Sequence, residues 1–311
     1  MEQRYASIDI GTNTVLLLVA ERQADGEFAP VLERAEITRL GRGVDQTGLL
    51  SAQGMEDTLR VLADYTRQAR ALGAAEIAVS ATSAARDAGN GTEFLRAARE
   101  RVDVLPEIIS GDREGELTFK AAFHDFGRDS AKRPLVVIDI GGGSTEFVYG
   151  APDGTERIAF DRSFEVGSVR MTERYLRADP IAATERVALV HYLRSVLELP
   201  APSPSHRLIG VAGTVTTLYA VQNQIEPYDS RRVHGGTLSL RQLRELSARL
   251  DGMPLAKRRA LPGLDPKRAD VICAGAIILE TAMDLLHSEE CVVSDRGLRW
   301  GLLLDRFGAA R

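Results

Sequence analysis

The residues best suited to chemistry come in two short phrases. An apolar run near the N-terminus ends in Asp9-Ile10-Gly11-Thr12-Asn13-Thr14, and a later one in Asp139-Ile140-Gly141-Gly142-Gly143-Ser144-Thr145-Glu146. Each sets an acid at the end of a strand-like stretch, followed by a turn of small and hydroxyl residues. A glycine turn lets backbone N–H groups converge on an anion, and hydroxyls add donors. An aspartate beside such a turn repels a bare phosphate, so the combination points to a cation or a water network between them. One phrase alone carries little. Two, each followed by matching sequence, point to a duplicated domain with a phosphate in the cleft between the halves.

Other candidates lie between and beyond the phrases. Arg86 follows a buried strand and the small residues Thr82-Ser83-Ala84-Ala85. Its guanidinium can fork onto a phosphate, or pair with Asp87 or Glu93 on the surface. Glu114 opens a helix, where a carboxylate can accept a proton from an attacking water and the helix N-terminus favours its ionised form. Asp112 and Glu116 suit the same helix end, so the residue pattern leaves the three open. Asp139 and Glu146 offer hard oxygens for Mg²⁺, which commonly keeps waters and substrate phosphates as further ligands; Asp9, the duplicate of Asp139, is a weaker candidate. Gly213-Thr214, after a second buried strand, mirrors Ala81-Thr82. The basic clusters Arg231-Arg232, Lys257-Arg258-Arg259 and Lys267-Arg268 are solvated faces unless a polyanion needs a path, and at least one is expected to line it.

Alternating elements must position these residues. Strands are expected over 15–20, 28–34 and 37–40, with Asp25-Gly26 turning between the first two. Ser51 caps a helix carrying Met55, Leu59, Leu62, Tyr65, Ala69 and Leu72 at helical spacing, stopped by Gly73. A strand at 76–81, a helix at 92–102, a strand at 107–110 and a helix at 112–126 follow. The polar segment 127–134 reads as a domain junction. The second half repeats the plan: strands near 135–139, 147–150 and 155–163, helices over 168–175 and 181–197, and a strand at 208–212. Helices at 240–250 and 269–286, a strand at 291–293 and a helix at 297–307 complete it. Neither phrase has GxGxxG spacing, and each runs into a strand, which argues against a dinucleotide fold.

Composition sets the outer limits. A chain of 311 residues suits two domains, and 27% charged with 44% hydrophobic residues is ordinary for a globular protein. The net charge of −5 gives no drive toward nucleic acid or anionic membrane, so a polyanion must be held by local cations or metal. Cys273 and Cys291 stand outside any CxxC pattern and read as buried free thiols in a reducing compartment. The five histidines lack metal-type spacing. No apolar run reaches membrane-spanning length and no signal-peptide core opens the chain, so a cytoplasmic location is expected.

In this order the segments resemble the exopolyphosphatase and guanosine pentaphosphate phosphohydrolase family, within the actin, heat-shock chaperone and sugar-kinase superfamily. The resemblance rests on Asp9 to Thr14, Thr82 to Arg86, Ile109-Ser110-Gly111 with Glu114, Asp139 to Glu146, Gly213-Thr214 and Ser294-Asp295-Arg296-Gly297-Leu298-Arg299. It departs at Arg113 and Gly115, which flank Glu114, at Thr14 where serine is more usual, and at Trp300. It implies an α/β fold of two actin-like (ribonuclease H-like) domains related by duplication, with the active site in the interdomain cleft. The expected domains are 1–127 with 297–311, and 128–296. The resemblance selects Glu114 as the base. It assigns phosphate binding to Thr12, Asn13, Thr14, Arg86, Gly141, Gly142, Gly143, Ser144, Thr145, Gly213 and Thr214, and a divalent cation, Mg²⁺, to Asp139, Glu146 and Asp9. It also implies a homodimer.

The expected activity is metal-dependent removal of the terminal phosphate from inorganic polyphosphate. Cleavage of guanosine pentaphosphate by the same site is the alternative. A small-molecule kinase on the same superfold, or a non-enzymatic nucleotide-binding module, are the readings from other classes.

Overall fold

Two sheets carry the two phrases, each at the end of a central strand. In the computed structural model, which describes residues 3–102, 104–129 and 132–308, the first sheet holds β1 (Arg4–Ile10), β2 (Thr14–Arg22), β3 (Phe28–Ile37), β4 (Ala74–Ala81) and β5 (Glu107–Ile108). Its helices are α1 (Val44–Thr47), α2 (Ala52–Ala71), α3 (Ser83–Asp87), α4 (Gly91–Val102) and the start of α5 (Gly111–Phe126). The second sheet holds β6 (Leu135–Ile140), β7 (Thr145–Gly150), β8 (Ile158–Phe164), β9 (Arg207–Val211), β10 (Thr237–Ser239) and β11 (Glu290–Val293). With it go α6 (Ser168–Tyr175), α7 (Ala183–Val196), α8 (Ala212–Gln222), α9 (Ser230–Val233), α10 (Leu240–Asp251), α11 (Leu255–Arg258) and α12 (Ile272–Leu285); α13 (Leu298–Phe307) ends the described chain. Residues 130–131 of the expected junction, and 1–2 and 309–311 of the expected first domain, lie outside the described residues.

The strand orders show the duplication. The first sheet runs β3-β2-β1-β4-β5 and the second β8-β7-β6-β9-β11, with β10 added at its edge. In both, the first three strands form an antiparallel meander, and the fourth lies parallel to the first. Two compact units result: Met1–Leu117 with Leu298–Arg311, and Thr118–Gly297. The first division falls inside α5.

Each unit buries its own core. In the first, Ile8, Ile10, Leu17 and Val19 of the sheet pack with Leu59, Leu62 and Tyr65 of α2 and Phe94 of α4. Leu117 joins Ile109 and Leu298 and Leu302 of α13 in a smaller cluster. In the second, Ile138, Ile140 and Phe147 face α8 and α12, while Leu135, Val137 and Val148 on the opposite face meet Phe119 and Ala122 of α5. Alternate residues of β6 therefore point to opposite layers, and Asp139 falls on the α5 side. Cys273 and Cys291 are both buried.

Most expected elements are present, with shifted ends. Ser51 caps α2 by accepting the Gly54 N–H. The strand expected over 37–40 is not a separate element, because β3 runs unbroken to Ile37. The amides of Thr38, Arg39 and Gly41 bond the first phrase instead of a ladder. Gly115 does not interrupt α5, and Ser110 caps that helix through Arg113 N (3.1 Å).

Candidate functional site

Both phrases fold into the same hairpin turn. Gly11 N donates to Thr14 O, and Gly141 N to Ser144 O, each at 3.0 Å. Residue by residue, Thr12 and Asn13 then correspond to Gly142 and Gly143, Thr14 to Ser144, and Asp9 to Asp139.

In the first unit, Thr12, Asn13 and Thr14 are buried, as is Asp9, which lies opposite Leu16 of β2 and Ser80 of β4. Thr12 O accepts from Gly41 N (2.8 Å), and Asn13 O from Thr38 N (3.1 Å) and Arg39 N (3.0 Å). Thr82 N donates to Ile10 O (3.2 Å), which ties the end of β1 to the start of α3. Arg86, in the last turn of α3, donates through Nη1 to Ile109 O (2.9 Å) and lies 3.5 Å from Glu114 Oε2 and 3.7 Å from Asp87 Oδ1. The structure thus brings Arg86 and Glu114 together, and Asp87 shares the arginine. Glu114 is buried at the N-terminal turn of α5, its N–H on Ser110 O (2.9 Å). Neither neighbouring acid shares that setting: Asp112 is exposed, and Glu116 pairs with Arg113 at 2.6 Å.

In the second unit, Asp139 and Glu146 stand directly opposite each other across β6 and β7. Both are buried. Thr118 Oγ1 donates to Asp139 Oδ2 (3.1 Å), and Ser163 Oγ to Glu146 Oε1 (2.7 Å). Burial pushes the Asp139 carboxyl up to about 6, against the opposing pull of the Thr118 hydrogen bond. Facing carboxylates in a cross-strand pair repel unless a proton or a cation lies between them. Thr118 and Ser163 are supporting residues that sequence reasoning missed; Ser163 could have been found from the pairing register of β7 and β8.

The other expected phosphate ligands fall differently. Thr145 donates its hydroxyl to Val166 O, so its proton holds the β8–α6 connection. Gly213 lies in the first turn of α8, behind Ala212 at φ 66°. The Arg268 guanidinium lies over it, so close that a Cβ at Gly213 would meet Nη1 at 2.2 Å. The Thr214 methyl faces Gly275 of α12, in the packing of the two helices. Of the basic residues, Arg258 is buried, bonded to Cys273 Sγ and to Asp179 Oδ1 (3.1 Å). Arg231, Arg232, Lys257, Arg259 and Lys267 are exposed. The tail motif is architectural: Arg296 donates to Asp125 Oδ1 (2.9 Å), and Ser7 Oγ to Arg299 O (2.6 Å).

A model of the Ppx/GppA phosphatase family matches residues 18–309. The chain belongs to the Ppx/GppA phosphatase family. It is 35% identical over 321 aligned residues to Exopolyphosphatase 2 of Mycobacterium tuberculosis, covering 98% of this chain and 99% of that one. The crystal structure of the Aquifex aeolicus family member superposes with a TM-score of 0.82 at 31% identity, over 98% of this chain and 97% of the other. An exopolyphosphatase from Cytophaga hutchinsonii superposes with a TM-score of 0.88 at 26% identity, over 98% of each chain. Membership makes the chain a phosphoanhydride hydrolase and its two sheets actin-like domains.

Ppx/GppA phosphatases are generally divalent-cation dependent. Among the described residues, no three His, Cys, Asp or Glu side chains come together as a complete metal-holding set. The donor chemistry nevertheless fits a magnesium-type ion. Asp139 and Glu146 are two buried hard-oxygen donors on facing strands, and such an ion takes one or two carboxylates with waters and substrate phosphates. Among the described residues, no helix is long and apolar enough to cross a membrane.

Proposed function

We propose that the chain is an exopolyphosphatase, hydrolysing the terminal phosphoanhydride of inorganic polyphosphate. The observation that carries this reading is the buried Glu114 at a helix start, with Arg86 3.5 Å away. That pair supplies a proton acceptor for water and a cation for phosphate. The M. tuberculosis relative named for this activity, alike over almost its whole length, supports the substrate.

In this mechanism the two turns and Arg86 hold the terminal phosphate. Gly213 and Thr214, with Arg268 above the glycine, contribute at the start of α8. Water attacks the terminal phosphorus as Glu114 takes its proton. The bond to the bridging oxygen breaks, releasing one phosphate and a chain shorter by one unit. Mg²⁺ held by Asp139 and Glu146, with Asp9 as a further carboxylate, would offset charge on the phosphates. An enzyme of this kind would work in the cytoplasm, where the buried thiols of Cys273 and Cys291 stay reduced, and as a homodimer.

A phosphate-release assay on long-chain polyphosphate and on guanosine pentaphosphate, with Glu114→Gln alongside, tests the reading. Release from polyphosphate, abolished in the variant, is expected. Faster turnover of guanosine pentaphosphate would move the substrate assignment. Full activity in Glu114→Gln would remove the base, and acceptor-dependent transfer from ATP without phosphate release would make the chain a kinase.

A further inference from the structure

The Gly141–Ser144 turn is gripped from behind by the start of α6. Ser168 N (3.0 Å) and Ser168 Oγ (3.2 Å) donate to Gly141 O, and Val169 N (2.9 Å) and Arg170 N (3.1 Å) to Gly142 O. The Arg170 side chain donates through Nε to Gly143 O (2.8 Å). Three successive carbonyls are thus drawn toward one helix end. In a planar trans peptide the C=O of one residue and the N–H of the next point in opposite directions. Fixing these carbonyls therefore aims the N–H groups of Gly142, Gly143 and Ser144 away from α6, as a set.

The duplicate turn has main-chain donors at the matching place. There, the amides of Thr38 and Arg39 serve Asn13 O, at the position where Arg170 Nε serves Gly143 O. One side chain in the second unit does what the main chain does in the first. Arg170 is built for this. It is buried, and its Nη1 is braced 3.1 Å from Glu165 Oε2. Gly167 lets α6 come this close, since a Cβ there would lie 2.3 Å from Gly142 O.

We infer that Arg170 is a positioning residue for phosphate binding: its Nε–H, rather than its charge, orients the amides of the Gly141–Ser144 turn. The inference rests on the reading of that turn as a phosphate holder. It separates two properties of one side chain. Arg170→Gln keeps an N–H donor the same number of bonds from Cα and loses the charge. Arg170→Lys keeps the charge and puts a methylene where Nε was.

The test compares the two variants with the wild type by polyphosphate kinetics and by amide hydrogen exchange over 141–145. Expected are a rise in KM of about tenfold for Arg170→Lys, the size of one lost ~1.4 kcal/mol contact, with faster exchange in the turn. Arg170→Gln should stay within about threefold of the wild type with the turn protected. Lys matching the wild type in exchange and KM overturns the inference, as does Gln losing as much as Lys. If the exchange pattern holds but the wild type releases no phosphate from either substrate, the turn is clamped as described and the proposed function falls. If release is normal and exchange does not distinguish the variants, the positioning role falls alone. Should one variant not fold, the other decides: a protected turn in Gln, or a loosened one in folded Lys, supports the role, and the reverse overturns it.

Discussion

Arg86 Nη1 lies 3.5 Å from Glu114 Oε2 while donating to the carbonyl of Ile109 at 2.9 Å. One guanidinium thus joins the end of α3 to the residues just before α5. Under the proposed mechanism that cation would shift from its internal carboxylate to an incoming phosphate, and would bring the substrate to Glu114. Glu114→Gln should lower kcat by about 100-fold or more, the usual cost of losing a general base. Arg86→Lys loses the planar fork and should raise KM as well as lower kcat. Steady-state phosphate release checks both, and Arg86→Lys with an unchanged KM would detach this arginine from the substrate.

Asp139 and Glu146 make a pH-dependent metal test. Burial raises the Asp139 pKa to about 6, above its ordinary 3.8, so the folded state holds this proton more tightly than the unfolded chain. The contribution is fully present below about pH 4 and is lost as pH rises through about 6. A cation competes with that proton, so Mg²⁺ should raise the thermal midpoint more at about pH 7.5 than at about pH 5. Asp139→Asn should abolish the difference. Equal Mg²⁺ shifts at both pH values in the wild type would remove the ion from this carboxylate pair.

Gly167 is extended at φ −139°, a backbone any residue adopts, so its constraint is space alone. Gly167→Ala drives a methyl to 2.3 Å from Gly142 O. Overpacking of this kind costs about 1–3 kcal/mol, and the methyl also pushes the turn off α6. A lower denaturation midpoint together with reduced turnover is expected; calorimetry and kinetics on one preparation read both.

His206 gives a second pH signature, away from the candidate site. Its Nδ1 donates to the carbonyl of Ser203 (2.8 Å), so the neutral ring accepts from Ser288 Oγ through Nε2 (2.6 Å). Burial holds its pKa below the ordinary 6.5. The stability it contributes is present above pH 6.5 and lost as pH falls through the lower folded value, because burial opposes charging the ring. His206→Asn should flatten this part of the stability profile, which thermal melts across the acid range would show.

The basic clusters divide by burial. Arg258, buried against Cys273 and bonded to the exposed Asp179, should cost about 1–3 kcal/mol of stability on truncation to alanine, through lost side-chain packing and its hydrogen bonds. The exposed Arg231, Arg232, Lys257, Arg259 and Lys267 should instead govern affinity for long polyphosphate and its salt dependence. Binding of long chains unaffected by neutralising all five would remove the basic path.

The sequence by itself determined the two turns, the acids before them and the duplicated order of elements. Apolar alternation, Gly and hydroxyl placement and helix caps are local properties, written within a few residues of where they act. It also marked Arg86 by its distance from a strand end, while Glu114 stood level with Asp112 and Glu116 until the family resemblance selected it. Two of the misread segments have a plain physical reason. Helix α8 is buried on nearly every side, so it lacks the polar face that makes a helical period visible. The segment after Ile37 reads as strand, but its amides serve the carbonyls of Thr12 and Asn13. Tertiary structure alone decided the rest. Only strand register sets Asp139 against Glu146. Only the return of the chain after β8 brings Gly167 and Arg170 behind a turn some 25 residues earlier, a contact with no local signature to reveal it.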